Sequence, residues 1–329
     1  MTTSGATARG ATARGAVQLR ANLFGIPFGL AGLALVWRLA GLNLGAPHLV
    51  SDVLTALTAL GWLVLVVAFA RSWSSWTDVA DALEHPVFGP FASLAPIVGM
   101  LIGALLAEAW LDASKVVVIV FWIATIALGG WLAGGWVVNG LDQGQLHPGY
   151  FLPTVAGGLV GAFALAIVGY DRLALLSFGI GVICWLILGA VVLSRLFVAG
   201  SLPAPLLPTL AIEVAPPVVA GNAWFIINGA QPDLLQYVFA GYAVLMVVVQ
   251  LRFIPSFRSL SFGAGFWAFT FSYCAAVSYA LRWLSLDSSS LATTAAWVLV
   301  TGATVMVAWI GIKSLTSLRK GTFLPRVTA

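Results

Sequence analysis

Ten apolar segments follow one another between residues 24 and 313, and they alternate in kind: the odd ones are broken by proline or packed with glycine, the even ones carry no proline. That alternation constrains the chain to an inner ring of bent helices around a path, held by an outer ring of straight ones. The segments fall at 24–40, 53–70, 87–106, 116–138, 151–169, 173–196, 206–227, 234–251, 262–281 and 291–312. Each approaches the ~20 apolar residues that cross a hydrocarbon core about 30 Å thick. Composition closes the water-soluble alternative. Charged residues are 8% of the 329 and hydrophobic residues 61%, whereas a soluble domain is roughly 25% charged. The expected fold is an all-α membrane protein of ten transmembrane helices.

The prolines set the internal organisation. Pro27 lies in the first segment, Pro90 and Pro96 in the third, Pro153 in the fifth, and Pro208, Pro216 and Pro217 in the seventh. Proline removes a backbone donor and bends a helix, and in lipid the freed carbonyl must be satisfied by protein or by water in a cavity. Odd segments should therefore face protein or a path, and even segments lipid. Pro27, Pro96, Pro153 and Pro216 are 69, 57 and 63 residues apart, one helical hairpin each. A fifth unit falls near Phe271 and Ser272, where Gly263 and Gly265 stand in for proline. The spacing predicts five tandem helical hairpins with quasi-fivefold symmetry around a central pore. GxxxG pairs at Gly25 and Gly29, Gly99 and Gly103, and Gly157 and Gly161 allow close helix approach. Gly130 and Gly134, on an even segment, make the same pair.

Ten spans put both termini on one side. With the N-terminus inside, 11 Lys and Arg fall on inner segments and 4 (Arg38, Lys115, Arg172 and Arg282) on outer ones, so the positive-inside bias places both ends in the cytoplasm. The expected location is the cell's inner membrane. Residues 1–20 contain Ala-Thr-Ala-Arg-Gly twice in succession and read as a disordered basic cytoplasmic tail rather than a cleaved signal peptide. A transmembrane domain over 21–315 and a second cytoplasmic tail over 316–329 complete the division. The net charge of +4 belongs to this bias and implies no nucleic-acid partner. Cys184 and Cys274 both fall inside spans and read as small buried hydrophobes.

The polar inventory argues against an enzyme, with no catalytic cluster, cofactor or metal expected. His48, His85 and His147 sit in loops or at span ends without metal-ligand spacing. Ser51 with Asp52, Asp233, and Asp287 with its serines read as helix N-caps, and His147 as a loop entry to the fifth span. No Lys or Arg lies in the middle of a span, so anion selectivity is expected from weak interactions with broken-helix ends and backbone, as fast conduction requires.

Phe-Gly-Ile-Pro-Phe-Gly-Leu-Ala at 24–31, Ser-Asp-Val at 51–53, His-Pro-Gly-Tyr-Phe-Leu-Pro at 147–153 and Phe-Trp-Ala-Phe-Thr-Phe-Ser at 266–272 carry a resemblance. In order and spacing over the whole membrane portion, the chain resembles the tellurite-resistance and dicarboxylate transporter family. The resemblance implies ten helices as five hairpins, a pore lined by the odd helices, a homotrimer, and permeation of small inorganic or organic anions blocked by a phenylalanine on the ninth helix. Alignment of the Trp-Ala-Phe-Thr-Phe run puts that gate on Phe271; read from the residues alone, Phe271 is packing in a small-residue helix. Phe24, Gly25, Pro27, Pro96, Pro153, Pro216 and Pro217 are the pore-lining or kink candidates, with helix packing the alternative for Gly25.

Glu213 departs from the bacterial pattern of that family, which lacks an acid there. It reads either as a proton or selectivity site, or as a carboxylate bonding backbone freed by Pro216 and Pro217. The function expected is a gated anion channel. Two alternatives stand beside it: a proton-coupled carrier of dicarboxylate, sulfite or tellurite-type oxyanions, and a membrane enzyme or receptor, for which no clustered polar site is present.

Overall fold

The computed structural model of the protein describes residues 19–73 and 75–324. It is helical throughout, with no strand among the described residues. Eleven α-helices follow in chain order: α1 Gly25–Leu44, α2 His48–Ser72, α3 Trp76–Glu84, α4 Leu94–Leu106, α5 Leu111–Asn139, α6 Gly157–Ile167, α7 Asp171–Val198, α8 Ala215–Ile227, α9 Leu234–Arg258, α10 Trp267–Leu284 and α11 Ser290–Arg319. Among the described residues, ten helical stretches are long and apolar enough to span a membrane. The short α3, set by a capping box between Ser75 and Asp78, is an element the apolar pattern does not reveal.

The helices pair as hairpins: α1 with α2, α4 with α5, α6 with α7, α8 with α9, and α10 with α11. The first member of each hairpin packs on the next in turn, and α10 packs back on α1, so the five close into a ring. Burial separates the two sets as the prolines imply. Between 61% and 83% of the residues in the inner spans are buried, against 17% to 28% in the outer ones. The exposed faces of the outer helices are bulky and apolar, as at Leu60, Leu63 and Val64 on α2 and Val244, Leu245 and Val248 on α9. Such a surface is stable only against lipid.

Each inner helix opens on a non-α segment. Four begin with a 3-10 stretch, Ala21–Phe24, Gly89–Ser93, Ala204–Val214 and Ala264–Phe266; the fifth has a 3-10 turn at Pro148–Phe151 and then a π turn at Leu152–Ala156. The prolines therefore mark the passage from the 3-10 or π stretch into the α-helix within each span. Pro27, Pro96, Pro216 and Pro217 occupy the first turn of α1, α4 and α8, and Pro153 lies in the π turn. There the fixed φ favours the switch into α geometry.

Four other expectations change. The eighth span is not proline-free: α9 runs on through Pro255, which is exposed, so water can solvate the carbonyl it frees. Ser51 and Asp52 are not the N-cap of α2, which begins at His48. The Ser51 hydroxyl instead donates to the Ala34 carbonyl of α1 at 3.1 Å, a tertiary contact that local sequence does not disclose. Helix α11 continues to Arg319, beyond the boundary expected at 315. The duplicated segment at 6–15 and residues 325–329 lie outside the described residues, and Arg20, placed in the same tail, stacks its guanidinium 4.7 Å from the centre of the Phe88 ring.

Asp233 and Ser289 cap α9 and α11 as the pattern implies, accepting from Gln236 N at 3.0 Å and Ala292 N at 3.1 Å. Asp287 stands one step back and orients Ser289, accepting from its N–H and its hydroxyl.

Candidate functional site

Two cavities among the described residues are bordered by all five inner helices. The first lies toward the N-terminal ends of the ring helices and is bordered by Gly25, Leu94, Leu159, Pro216, Ala268 and Phe271, at least one residue from each of the five. It measures about 60 Å³ and holds no charged side chain. The hydroxyls of Thr209 and Ser272 on its wall are turned to backbone carbonyls. The second lies toward the C-terminal ends, measures about 340 Å³, and is bordered by Gly32, Leu101, Phe163, Asn222 and Ser278 together with Arg38 and Arg282.

Phe271 and Val219 border both cavities. The Phe271 ring is 6% exposed and stacks on Phe28 of α1, centroids 3.6 Å apart. Helix α1 comes close at this level because Gly32 has no side chain: a Cβ there would lie 3.2 Å from the Phe271 ring and 3.1 Å from the Cys274 Cβ. Gly29 is tighter still, its missing Cβ falling 2.6 Å from that of Thr270. The glycines thus let α1 and α10 approach side by side and press two phenyl rings together. Neither Phe28 nor Gly32 stood out in the sequence, although Gly25, Phe28, Gly29 and Gly32 share one helical face at spacings of three and four.

Of the residues singled out from sequence, Gly25, Pro216 and Phe271 border the first cavity. Phe24, Pro27, Pro96, Pro153 and Pro217 border neither cavity; Phe24 packs on Phe69 of α2 at 5.2 Å. Glu213, in the 3-10 stretch ahead of α8, is buried but borders neither cavity, although Ile212 and Ala215 on either side line the first. Its Oε1 has no hydrogen-bond partner among the described residues, so it does not bond the backbone that the prolines free through that atom.

The expectation that anion selectivity involves no buried cation changes at the second cavity. Arg38 lies within α1 and Arg282 in the last turn of α10, near helix ends as the sequence implies, yet both line the second cavity. The spacing 271, 275, 278 and 282 puts Phe271, Ala275, Ser278 and Arg282 on one face of α10, a signal legible in the sequence once Phe271 is taken as the reference. Arg38 is paired with Glu108 and lies 3.7 Å from Asp52. Arg282 donates from Nε to the Asn222 Oδ1 at 3.0 Å, and Asn222 is itself held by Nδ2 donating to the carbonyls of Val218 and Ala275.

His147 is fully buried ahead of the fifth span, where its Nδ1 accepts from Gly149 N at 3.1 Å and its ring packs against Phe91 and Tyr150. Burial pushes its pKa down to about 4, with the Arg195 charge acting in the same direction. His85 accepts from Val87 N and Phe88 N in the same way. Among the described residues no group of His, Cys, Asp and Glu is arranged to hold a metal.

Comparison with known proteins agrees with this architecture. A family model described as SLAC1, voltage-dependent anion channel, matches residues 18–316. The chain is 31% identical over 312 residues to the tellurite resistance protein TehA homolog of Haemophilus influenzae, covering 93% of this chain and 92% of that one. It is 26% identical over 201 residues to the guard cell S-type anion channel SLAC1 of Arabidopsis thaliana, and 28% over 156 residues to the S-type anion channel SLAH3 of the same plant. Those matches cover 59% and 47% of this chain but only 34% and 24% of the plant proteins.

Proposed function

The chain belongs to the SLAC1 family of voltage-dependent anion channels, and on that premise we propose that it is a gated channel for small anions, closed by Phe271. Its general activity is anion transport across a membrane, the activity of a family of channels and transporters rather than enzymes. The finer reading rests on one observation: the two cavities bordered by the same five helices share Phe271 and Val219, and of the two only Phe271 is aromatic. A phenyl ring across a narrow apolar passage excludes a hydrated ion, and rotation of the ring joins the cavities. The five hairpins act as equivalent units around this path, and a homotrimer in the cell's inner membrane, with both termini cytoplasmic, completes the reading.

The carrier alternative draws its support from Glu213, a carboxylate buried within a span. Its position beside the path rather than on it favours the channel.

The test is anion flux through purified protein in liposomes. Wild type should pass little current at rest, and Phe271→Ala, which opens the passage without adding charge, should raise chloride conductance at least about tenfold; a folded mutant with wild-type currents would make Phe271 a packing residue.

A further inference from the structure

We propose that Arg282, held in place by Asn222 and joined by the Ser278 hydroxyl, forms a binding subsite for a monovalent inorganic anion in the second cavity. The role of this subsite in conduction rests on the channel reading above; its occupancy does not.

Three observations place it. First, the two arginines of the cavity are not equivalent. Arg38 faces Glu108 and Asp52, which compensate its charge, and it also donates to the Leu105 carbonyl at 2.9 Å. Arg282 makes no ion pair among the described residues, and its bond to Asn222 is to a neutral oxygen. A half-buried cation without a counter-ion is costly, and an anion entering the cavity relieves that cost.

Second, the guanidinium is aimed. Both Asn222 Nδ2 hydrogens are occupied by carbonyls on α8 and α10, so the amide oxygen is fixed toward Arg282 and takes up its Nε–H. The four N–H bonds of the terminal amino groups, without a partner among the described residues, remain for a ligand. Asn222 is a positioning residue, since its own donors are used.

Third, Ser278, one helical turn before Arg282 on the same face, is 5% exposed and borders the cavity, and its buried hydroxyl has no hydrogen-bond partner among the described residues. Buried hydroxyls are nearly always bonded; a ligand between Ser278 and Arg282 supplies the missing partner.

The charge count selects the ligand. One uncompensated cation and one hydroxyl balance a single negative charge, and a dicarboxylate would need a second free cation that Arg38 does not offer. The cavity of about 340 Å³ leaves the ion partly hydrated, at roughly 30 Å³ per water, so binding is loose enough for the ion to leave. Ser278 sits seven residues from Phe271, about 10 Å along α10, so the subsite holds an ion just beyond the proposed gate.

Bromide located by anomalous diffraction in crystals of the purified protein tests occupancy without an open gate. A peak within hydrogen-bonding reach of Arg282 and Ser278, lost in Arg282→Gln, is expected. No peak in wild type, a peak that persists in Arg282→Gln, or displacement of bromide by equimolar malate would overturn the proposal. For conduction, Arg282→Gln in the Phe271→Ala background should raise the chloride concentration for half-maximal current about tenfold, the loss of one charge-assisted contact. Ser278→Ala should raise it less, and Arg282→Lys, which keeps the charge, should stay near the parent. Equal half-saturation in Arg282→Gln and parent would count against the subsite. Bromide bound at Arg282 in a protein that passes no anion would support the subsite and refute the channel.

Discussion

The ring of Phe28 on α1 lies nearly parallel to that of Phe271 on α10, with centroids 3.6 Å apart and planes 15° apart. Phe28 borders the first cavity only, whereas Phe271 borders both. One ring therefore backs the other, and Phe271 can turn only as far as Phe28 allows.

Phe28→Ala should consequently raise resting chloride conductance, by less than Phe271→Ala does, because it frees the ring without removing it. The double mutant should match Phe271→Ala alone. Planar-bilayer currents of the three variants decide this; additive effects would mean that the two rings act separately.

The glycines differ by helix although their spacing is the same. A Cβ on Gly29 would fall inside contact distance of the Thr270 side chain, whereas one on Gly130 would meet nothing within 4 Å. Gly29→Ala should destabilise the fold by about 1–3 kcal/mol through overpacking, and Gly130→Ala should be nearly neutral. Thermal unfolding in detergent, followed by circular dichroism, separates them; equal midpoints would contradict the packing described.

His147 titrates below its ordinary range, at about 4 instead of 6.5, so the unfolded chain binds the proton first as pH falls. The stabilisation from burying neutral imidazole is complete above about 6.5 and is lost between there and about 4, roughly 3 kcal/mol over the window. His147→Asn keeps a cap acceptor for Gly149 but cannot titrate. Its unfolding temperature should depend less on pH across that window than that of wild type; parallel curves would remove His147 from the acid response.

Glu213→Gln keeps size and hydrogen-bonding capacity but cannot carry a proton. Since Glu213 borders neither cavity, chloride flux in liposomes should change less than about twofold, and an imposed pH gradient should drive no uphill uptake in either protein. Proton-driven accumulation of malate by wild type, lost in the mutant, would establish the carrier.

The Lys and Arg distribution of 11 to 4 gives a topology prediction. A reporter active only outside the cytoplasm, fused after Ala329, should be silent. A strongly active fusion would reverse the orientation proposed for the termini.

The span number, the hairpin pairing and the division into buried and lipid-facing helices were legible in the chain itself. Lipid cannot hydrogen-bond backbone, so proline and glycine must concentrate on helices that face protein, and bulky apolar residues collect on those that do not. The caps at Asp233 and Ser289 were legible for a similar reason, since each is decided within one helical turn. Tertiary structure decided the rest. That Phe271 meets Phe28, that Ile212 and Ala215 line a cavity while Glu213 between them does not, and that Arg38 is compensated while Arg282 is not all depend on which helix stands opposite. A helical period places a residue on a face; only the neighbour across that face determines its partner, and Ser51, bonded to α1 instead of capping α2, followed the neighbour.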